Sequence, residues 1–88
     1  MYYVYALIDP RTKTPFYIGK GKDGRIHRHE KDAKNGESPR HLIIREIWGY
    51  GLEVEKRICK TFNIEDDAYS YEKRLIDRIG LKTLVIKQ

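Results

Sequence analysis

The chain has 88 residues, 40% of them apolar, which suits one compact domain with a modest core and is too little for two. Eighteen lysines and arginines against 13 aspartates and glutamates give a formal charge of +5 and a pI near 9.4, which favours a polyanionic partner. A single cysteine, Cys59, rules out an internal disulfide and no Cys/His cluster suits zinc; Met1-Tyr2-Tyr3-Val4-Tyr5 lacks a secretory signal pattern and no apolar run spans a bilayer, so a reducing, intracellular setting without membrane contact is expected.

In chain order, residues 2–8 are dense in Tyr, Val and Ile and predict a strand, as does Pro15-Phe16-Tyr17-Ile18. Between them Asp9-Pro10-Arg11-Thr12-Lys13 has turn chemistry: Pro10 fixes φ and Asp9 can bond the following backbone. With Asp9 opposite Lys13, Leu7 faces Pro15 and Tyr5 faces Tyr17, which sets two tyrosines side by side. The stretch from Gly19 to Gly24 reads as a flexible basic loop. Arg25 to Lys34 predicts a mainly polar helix, capped by Asp23 and ended by Asn35-Gly36.

Ser38-Pro39 opens a second helix in cap-then-proline order, with an apolar face of Leu42, Ile43, Ile44, Ile47 and Trp48, and Gly49 and Gly51 stop it. From Leu52 to Phe62 the pattern alternates, with Leu52, Val54, Ile58 and Phe62 on one side and Glu53, Glu55 and Arg57 on the other, predicting a third strand covered on one face. Asn63 and Asp66 resemble a capping pair for a last helix running to about Ile79 and ended by Gly80; Leu84-Val85-Ile86 suits a short further strand. The expected fold is α/β in the α+β sense: a small, mainly antiparallel three-stranded sheet in β-β-α-α-β-α order, flanked by helices, in one domain over residues 1–88.

Three groups of residues stand out chemically. Ala68, Tyr71, Leu75, Ile76 and Ile79 form the apolar stripe of the last helix, and Glu72 sits inside it, where a lone carboxylate is costly. An ion pair with a lysine or arginine would satisfy it, and so would a metal ion. On the first helix Arg25, His29 and Asp32 share a face, with Arg28 beside them; this is either a solvated basic face or a phosphate site, since guanidinium offers two parallel hydrogen bonds to phosphate oxygens. Tyr5 and Tyr17 are either sheet packing or a reactive pair.

Taken together and in order, Val4-Tyr5-Ala6, Tyr17-Ile18-Gly19, Lys20, Arg25, His29 and a late helical Glu72 resemble the GIY-YIG nuclease superfamily. The stretch from Tyr3 to Arg11, then Phe16 to Lys22, looks like a subgroup of small bacterial and phage proteins and the nuclease domain of animal proteins that also carry a LEM domain. The resemblance implies a GIY-YIG-like fold and a divalent-metal-dependent endonuclease that hydrolyses phosphodiester bonds, with DNA expected ahead of RNA. It assigns Tyr5 as general base, its phenolate favoured by Lys20 or Arg25 and by the bound cation, Tyr17 as an orienting hydroxyl and Arg25 as phosphate clamp. His29 would assist proton transfer or bind phosphate, and Glu72 would hold Mg²⁺ or Mn²⁺. Gly19, Lys22 and Arg28 belong to the substrate surface; Lys13, Lys31, Arg40, Arg45 and Lys56 are further candidates for flanking phosphates.

The chain departs from the family pattern twice: Tyr3 stands where the name-giving glycine would, and no asparagine follows Asn63, although many members carry one after the last helix. Two other readings of the chain are a non-catalytic nucleic-acid-binding module of the same fold, and a protein-interaction domain built on Tyr2, Tyr3, Tyr5, Trp48 and Tyr50.

Overall fold

The computed structural model describes residues 1–80. Strands β1 (Tyr2–Asp9) and β2 (Thr14–Lys22) form a hairpin that leads through a 3₁₀ turn (Asp23–His27) into a short helix α1 (Arg28–Asp32). Then come α2 (Pro39–Gly49), β3 (Glu55–Phe62) and α3 (Glu65–Ile79). The sheet is antiparallel in the order β2-β1-β3, so the expected α+β architecture is found. The strand expected at Leu84-Val85-Ile86 lies outside the described residues.

The apolar run of β1 is explained by its central place, covered on both faces. Tyr3, Tyr5 and Leu7 pack with Phe16, Ile26, Ala33, Ile44, Ile47 and Val54, while Val4, Ala6 and Ile8 pack with Ile18 and with Ala68 of α3. Each fully buried side chain of this kind contributes roughly 1.5–3 kcal/mol, so β1 anchors both layers.

The hairpin register differs from the expected one. Asp9 does accept from the backbone N–H of Arg11 at its Oδ1 (2.9 Å), as its turn chemistry suggested, but it pairs with Thr14 rather than Lys13. Lys13 adopts the left-handed region (φ 61°) inside the loop. A bulge then inserts Phe16, so that Leu7 faces Tyr17 and Tyr5 faces Gly19. The extra residue lets Phe16 and Tyr17, neighbours in sequence, pack against the same cluster as Tyr5.

The stretch read as a flexible loop is also corrected, because β2 continues through Lys22. Its glycines are there for space: a Cβ on Gly19 would lie 2.7 Å from Cζ and Oη of Tyr5, and one on Gly21 2.7 Å from Cε1 of Tyr3. The tyrosine rings of β1 lie across these glycines.

The third strand begins at Glu55, and its pairing slips where Val4 faces Lys60 but Tyr5 faces Ile58. Cys59 is the extra residue, so Ile58 and Phe62 fall on opposite faces instead of sharing one. Phe62 packs on Tyr71 (ring centroids 5.4 Å apart), whereas Ile58 and Leu52 are exposed and Val54 is buried ahead of the strand.

The first helix is not continuous from Arg25. Asp23 does not cap it but opens the 3₁₀ turn with φ 57°, and the Tyr3 hydroxyl secures that turn, donating to the Asp23 carbonyl (2.6 Å) and accepting from the Ile26 N–H (3.1 Å). Helix α2 starts as expected after Ser38-Pro39, but His41 turns inward with Ile44 and Ile47 while Leu42 points outward. A Cβ on Gly36 would collide with the His41 ring. Arg45 donates to the carbonyls of Ala33 and Gly36 (2.7 and 2.6 Å), tying α2 to the end of α1. At α3 the cap position is Ile64, with no side-chain bond from Asn63, and Gly80 ends the helix at φ 94° as expected.

Candidate active site

Tyr5 sits mid-strand on the central strand, its ring held over Gly19 and between the rings of Tyr3, Tyr17 and His29 (centroids 5.8, 6.3 and 5.6 Å). Its hydroxyl lies 2.5 Å from Nε2 of His29, which α1 delivers from the other side of the cluster. His29 is buried and also meets Tyr17 edge-on at 4.8 Å. Thus Tyr5, Tyr17 and His29 come together although they belong to three different elements.

Burial pushes the Tyr5 phenol well above its ordinary range, reinforced by the Tyr17 and Tyr3 hydroxyls, and the charges of Arg25 and Arg40 oppose this only in part. Burial likewise raises Tyr17, with Arg40 opposing and Glu72 adding to the rise. His29 is pushed down to about 4 by burial and by Arg40 and His41. At neutral pH the phenol therefore keeps its proton and the imidazole is uncharged, so we assign the Tyr5 O–H as donor and Nε2 as acceptor. The charges of Arg25 and Arg40 by themselves do not outweigh burial at the Tyr5 phenol.

Lys20, expected beside Tyr5, pairs opposite Val4 and so belongs to the α3 face, where its ammonium meets Glu65 at 2.7 Å. Arg25 stands on the 3₁₀ turn rather than on one helical face with His29 and Asp32, yet its charge reaches both tyrosines. With Lys22, Asp23, Gly24 and Arg28 it lines a shallow, largely basic recess. Tyr3 is occupied by its bonds to the 3₁₀ turn, so Tyr5 is the tyrosine with a chemical partner.

Glu72 is half-buried on α3, toward the edge of the sheet where Tyr17 lies. Burial raises its pKa, Lys20 opposing. Among the described residues it forms no ion pair, since Lys20 is taken by Glu65. A carboxylate that is desolvated yet unpaired is suited to a hard divalent cation. Among the described residues there is no cluster of three or more His, Cys, Asp or Glu that could hold a metal, so an ion at Glu72 would have fewer than three such ligands from them and take water and phosphate oxygens for the rest.

Arg40, expected among the outer phosphate contacts, has its guanidinium 5.2 Å from the centroid of the Tyr17 ring. The only signal in the sequence was its place just after Ser38-Pro39, at the start of α2.

The family model of the LEM-3-like GIY-YIG domain matches residues 2–88. This chain belongs to that family. The GIY-YIG domain here is thus a member of a nuclease family whose two naming strands are β1 and β2, with Tyr5 and Tyr17 brought onto one face by the Phe16 bulge. Neither the curated proteins nor the solved structures yield a match.

Proposed function

We propose that this GIY-YIG domain is a divalent-metal-dependent endonuclease that hydrolyses phosphodiester bonds in DNA. The observation that carries the reading is the hydrogen bond between the Tyr5 hydroxyl and the unprotonated Nε2 of His29, a proton path between two buried side chains that feel the charge of Arg40.

Hydrolysis needs an attacking oxygen, neutralisation of the charge growing on the phosphoryl oxygens, and help for the departing 3′ oxygen. Tyr5 accepts a proton from the attacking water as it passes its own to His29, so no phenolate has to exist beforehand. Tyr17 orients the water or the phosphate by hydrogen bonding. Arg25 clamps the scissile phosphate, a task for which its exposed position and permanent charge suit it. Glu72 holds Mg²⁺ or Mn²⁺, which when bound stabilises negative charge on the phosphoryl and leaving oxygens.

Lys22 and Arg28, beside Arg25, contact flanking phosphates and give salt-sensitive affinity with little sequence choice. Lys20 acts indirectly, by engaging Glu65 and leaving Glu72 open. The exposed, unpaired thiol of Cys59 agrees with a reducing, intracellular setting.

The metal assignment is tested by Mn²⁺ paramagnetic resonance together with cleavage. Wild type is expected to bind Mn²⁺ and nick DNA, and Glu72→Gln to lose both. Unchanged Mn²⁺ binding and cleavage in Glu72→Gln would overturn the assignment.

A further inference from the structure

Three of the eight arginines have a guanidinium engaged by another group. Arg11 forks onto Asp9 and Glu46, Arg45 onto two carbonyls, and Arg57 onto Glu55. Arg40 differs from all of these. It is half-buried, its Nε is shielded from solvent with no hydrogen-bond partner, and no carboxylate pairs with it among the described residues. A shielded guanidinium N–H without an acceptor costs roughly 1–3 kcal/mol, so this geometry favours an acceptor that arrives with the substrate.

Its position indicates which acceptor. The Arg40 guanidinium is 5.2 Å from the Tyr17 ring centroid, and that ring in turn contacts both Tyr5 and His29. Cation–π contact with Tyr17 holds the charge without neutralising it. The hydrogen bonds of Arg45 to Ala33 and Gly36 fix the start of α2 relative to α1, and hence Arg40 relative to His29.

We propose that Arg40 forms a second phosphate-binding site, carried by α2, in which its guanidinium binds a non-bridging oxygen of the scissile phosphodiester alongside Arg25. The proposal rests on the nuclease reading above and assigns a residue to it. Planar, permanently charged and with Nε–H already unpartnered, Arg40 stabilises the charge that grows on the phosphoryl oxygens. It has a second effect through His29, whose neighbours are Tyr5 of β1, Tyr17 of β2, Asp32 and the α1 residue Glu30, and Arg40 and His41 of α2. The Arg40 charge opposes protonation of His29 and keeps Nε2 open for the Tyr5 proton.

The test combines two readouts in one set of proteins: wild type, Arg40→Gln, Arg40→Lys and, as a surface control, Arg57→Gln. The first readout is the ¹⁵N–¹H signal of the Arg40 side chain during titration with a short duplex DNA in chelator, where no cleavage occurs. The second is the single-turnover cleavage rate with Mg²⁺. We expect the Arg40 Nε–H signal to move with DNA. We also expect Arg40→Gln to slow cleavage about a hundredfold or more, Arg40→Lys to recover part of it, and Arg57→Gln to match wild type.

In Arg40→Gln the acidic limb of the pH–rate profile is expected to move upward as His29 regains basicity. An unmoved Nε–H signal, or wild-type cleavage by Arg40→Gln, overturns the proposal and leaves the nuclease reading intact. A moving signal in a wild type that cuts nothing overturns the nuclease reading instead and leaves Arg40 as a phosphate site.

Discussion

The Tyr5 hydroxyl and Nε2 of His29 lie 2.5 Å apart, with the phenol protonated and the imidazole neutral near pH 7. General acid–base help of this type contributes about 10²–10⁴-fold to a rate, so we expect Tyr5→Phe and His29→Ala each to lose at least about a hundredfold in single-turnover cleavage. Their far-ultraviolet circular dichroism should stay that of wild type. The double variant is expected to lose little more than either single one, because the two groups act as one unit.

The pH dependence separates relay from resting phenolate. His29 must be uncharged, so the rate is expected to rise as pH passes through about 4, the value to which burial, Arg40 and His41 push the imidazole, and then to level off. Tyr5 holds its proton beyond its ordinary range, so no further tenfold-per-unit rise toward about pH 10 is expected. A rate at saturating metal that climbs steadily from pH 6 to 9 would point to a phenolate base instead.

Tyr3 and Tyr5 share a face but have different partners, and Tyr3→Phe is expected to separate their roles. The substitution removes the bonds to the Asp23 carbonyl and from the buried Ile26 N–H, at a cost of about 1–3 kcal/mol in stability. Urea unfolding should reveal that loss, while cleavage per folded molecule stays within about threefold of wild type, well short of the hundredfold loss of a proton-transfer group.

Gly19→Ala attacks the site through packing. The new Cβ would sit 2.7 Å from the Tyr5 hydroxyl and 2.9 Å from the Tyr17 ring, displacing both away from His29. Overpacking of this kind costs about 1–3 kcal/mol, and the misplaced hydroxyl should lower cleavage by about a hundredfold. Gly21→Ala meets Tyr3 instead, and is expected to weaken the fold with a smaller loss of cleavage per folded molecule.

How much of this was legible in the sequence follows from what sets each feature. The existence of three strands, the α2 start at Ser38-Pro39 and the α3 stop at Gly80 rest on local signals and were found as expected, whereas β2 runs on to Lys22 and β3 begins only at Glu55. Register was not legible, because the bulges at Phe16 and Cys59 arise from cross-strand packing and each shifts partners by one. Gly19 and Gly21 resembled loop residues until the rings opposite them were in place. Glu72 could be singled out by its place in an apolar stripe, while Tyr5 and His29 stood out through the resemblance to the GIY-YIG superfamily. That Tyr5 bonds His29, that Lys20 answers to Glu65, and that Arg40 reaches Tyr17 are facts of tertiary packing between elements distant in the chain.

Stability carries its own pH signature. The unfolded chain binds a proton at His29 below about pH 6.5, whereas the folded protein resists it down to about 4, so the unfolded state holds more protons across that window. Stability is therefore fully present above about pH 6.5 and is lost as pH falls through that interval; His41, depressed by burial and Arg40, adds in the same direction. Urea midpoints should fall from pH 7 to pH 4.5, and less steeply in His29→Asn.

The most direct measurement is nicking of supercoiled plasmid at low salt with Mg²⁺, with Mn²⁺ and with chelator, by wild type and by Tyr5→Phe. Metal-dependent nicking by wild type that Tyr5→Phe lacks is the expected result. A wild type that binds the plasmid yet never cuts it, or a Tyr5→Phe that nicks at the wild-type rate, contradicts the catalytic role given to Tyr5 and His29.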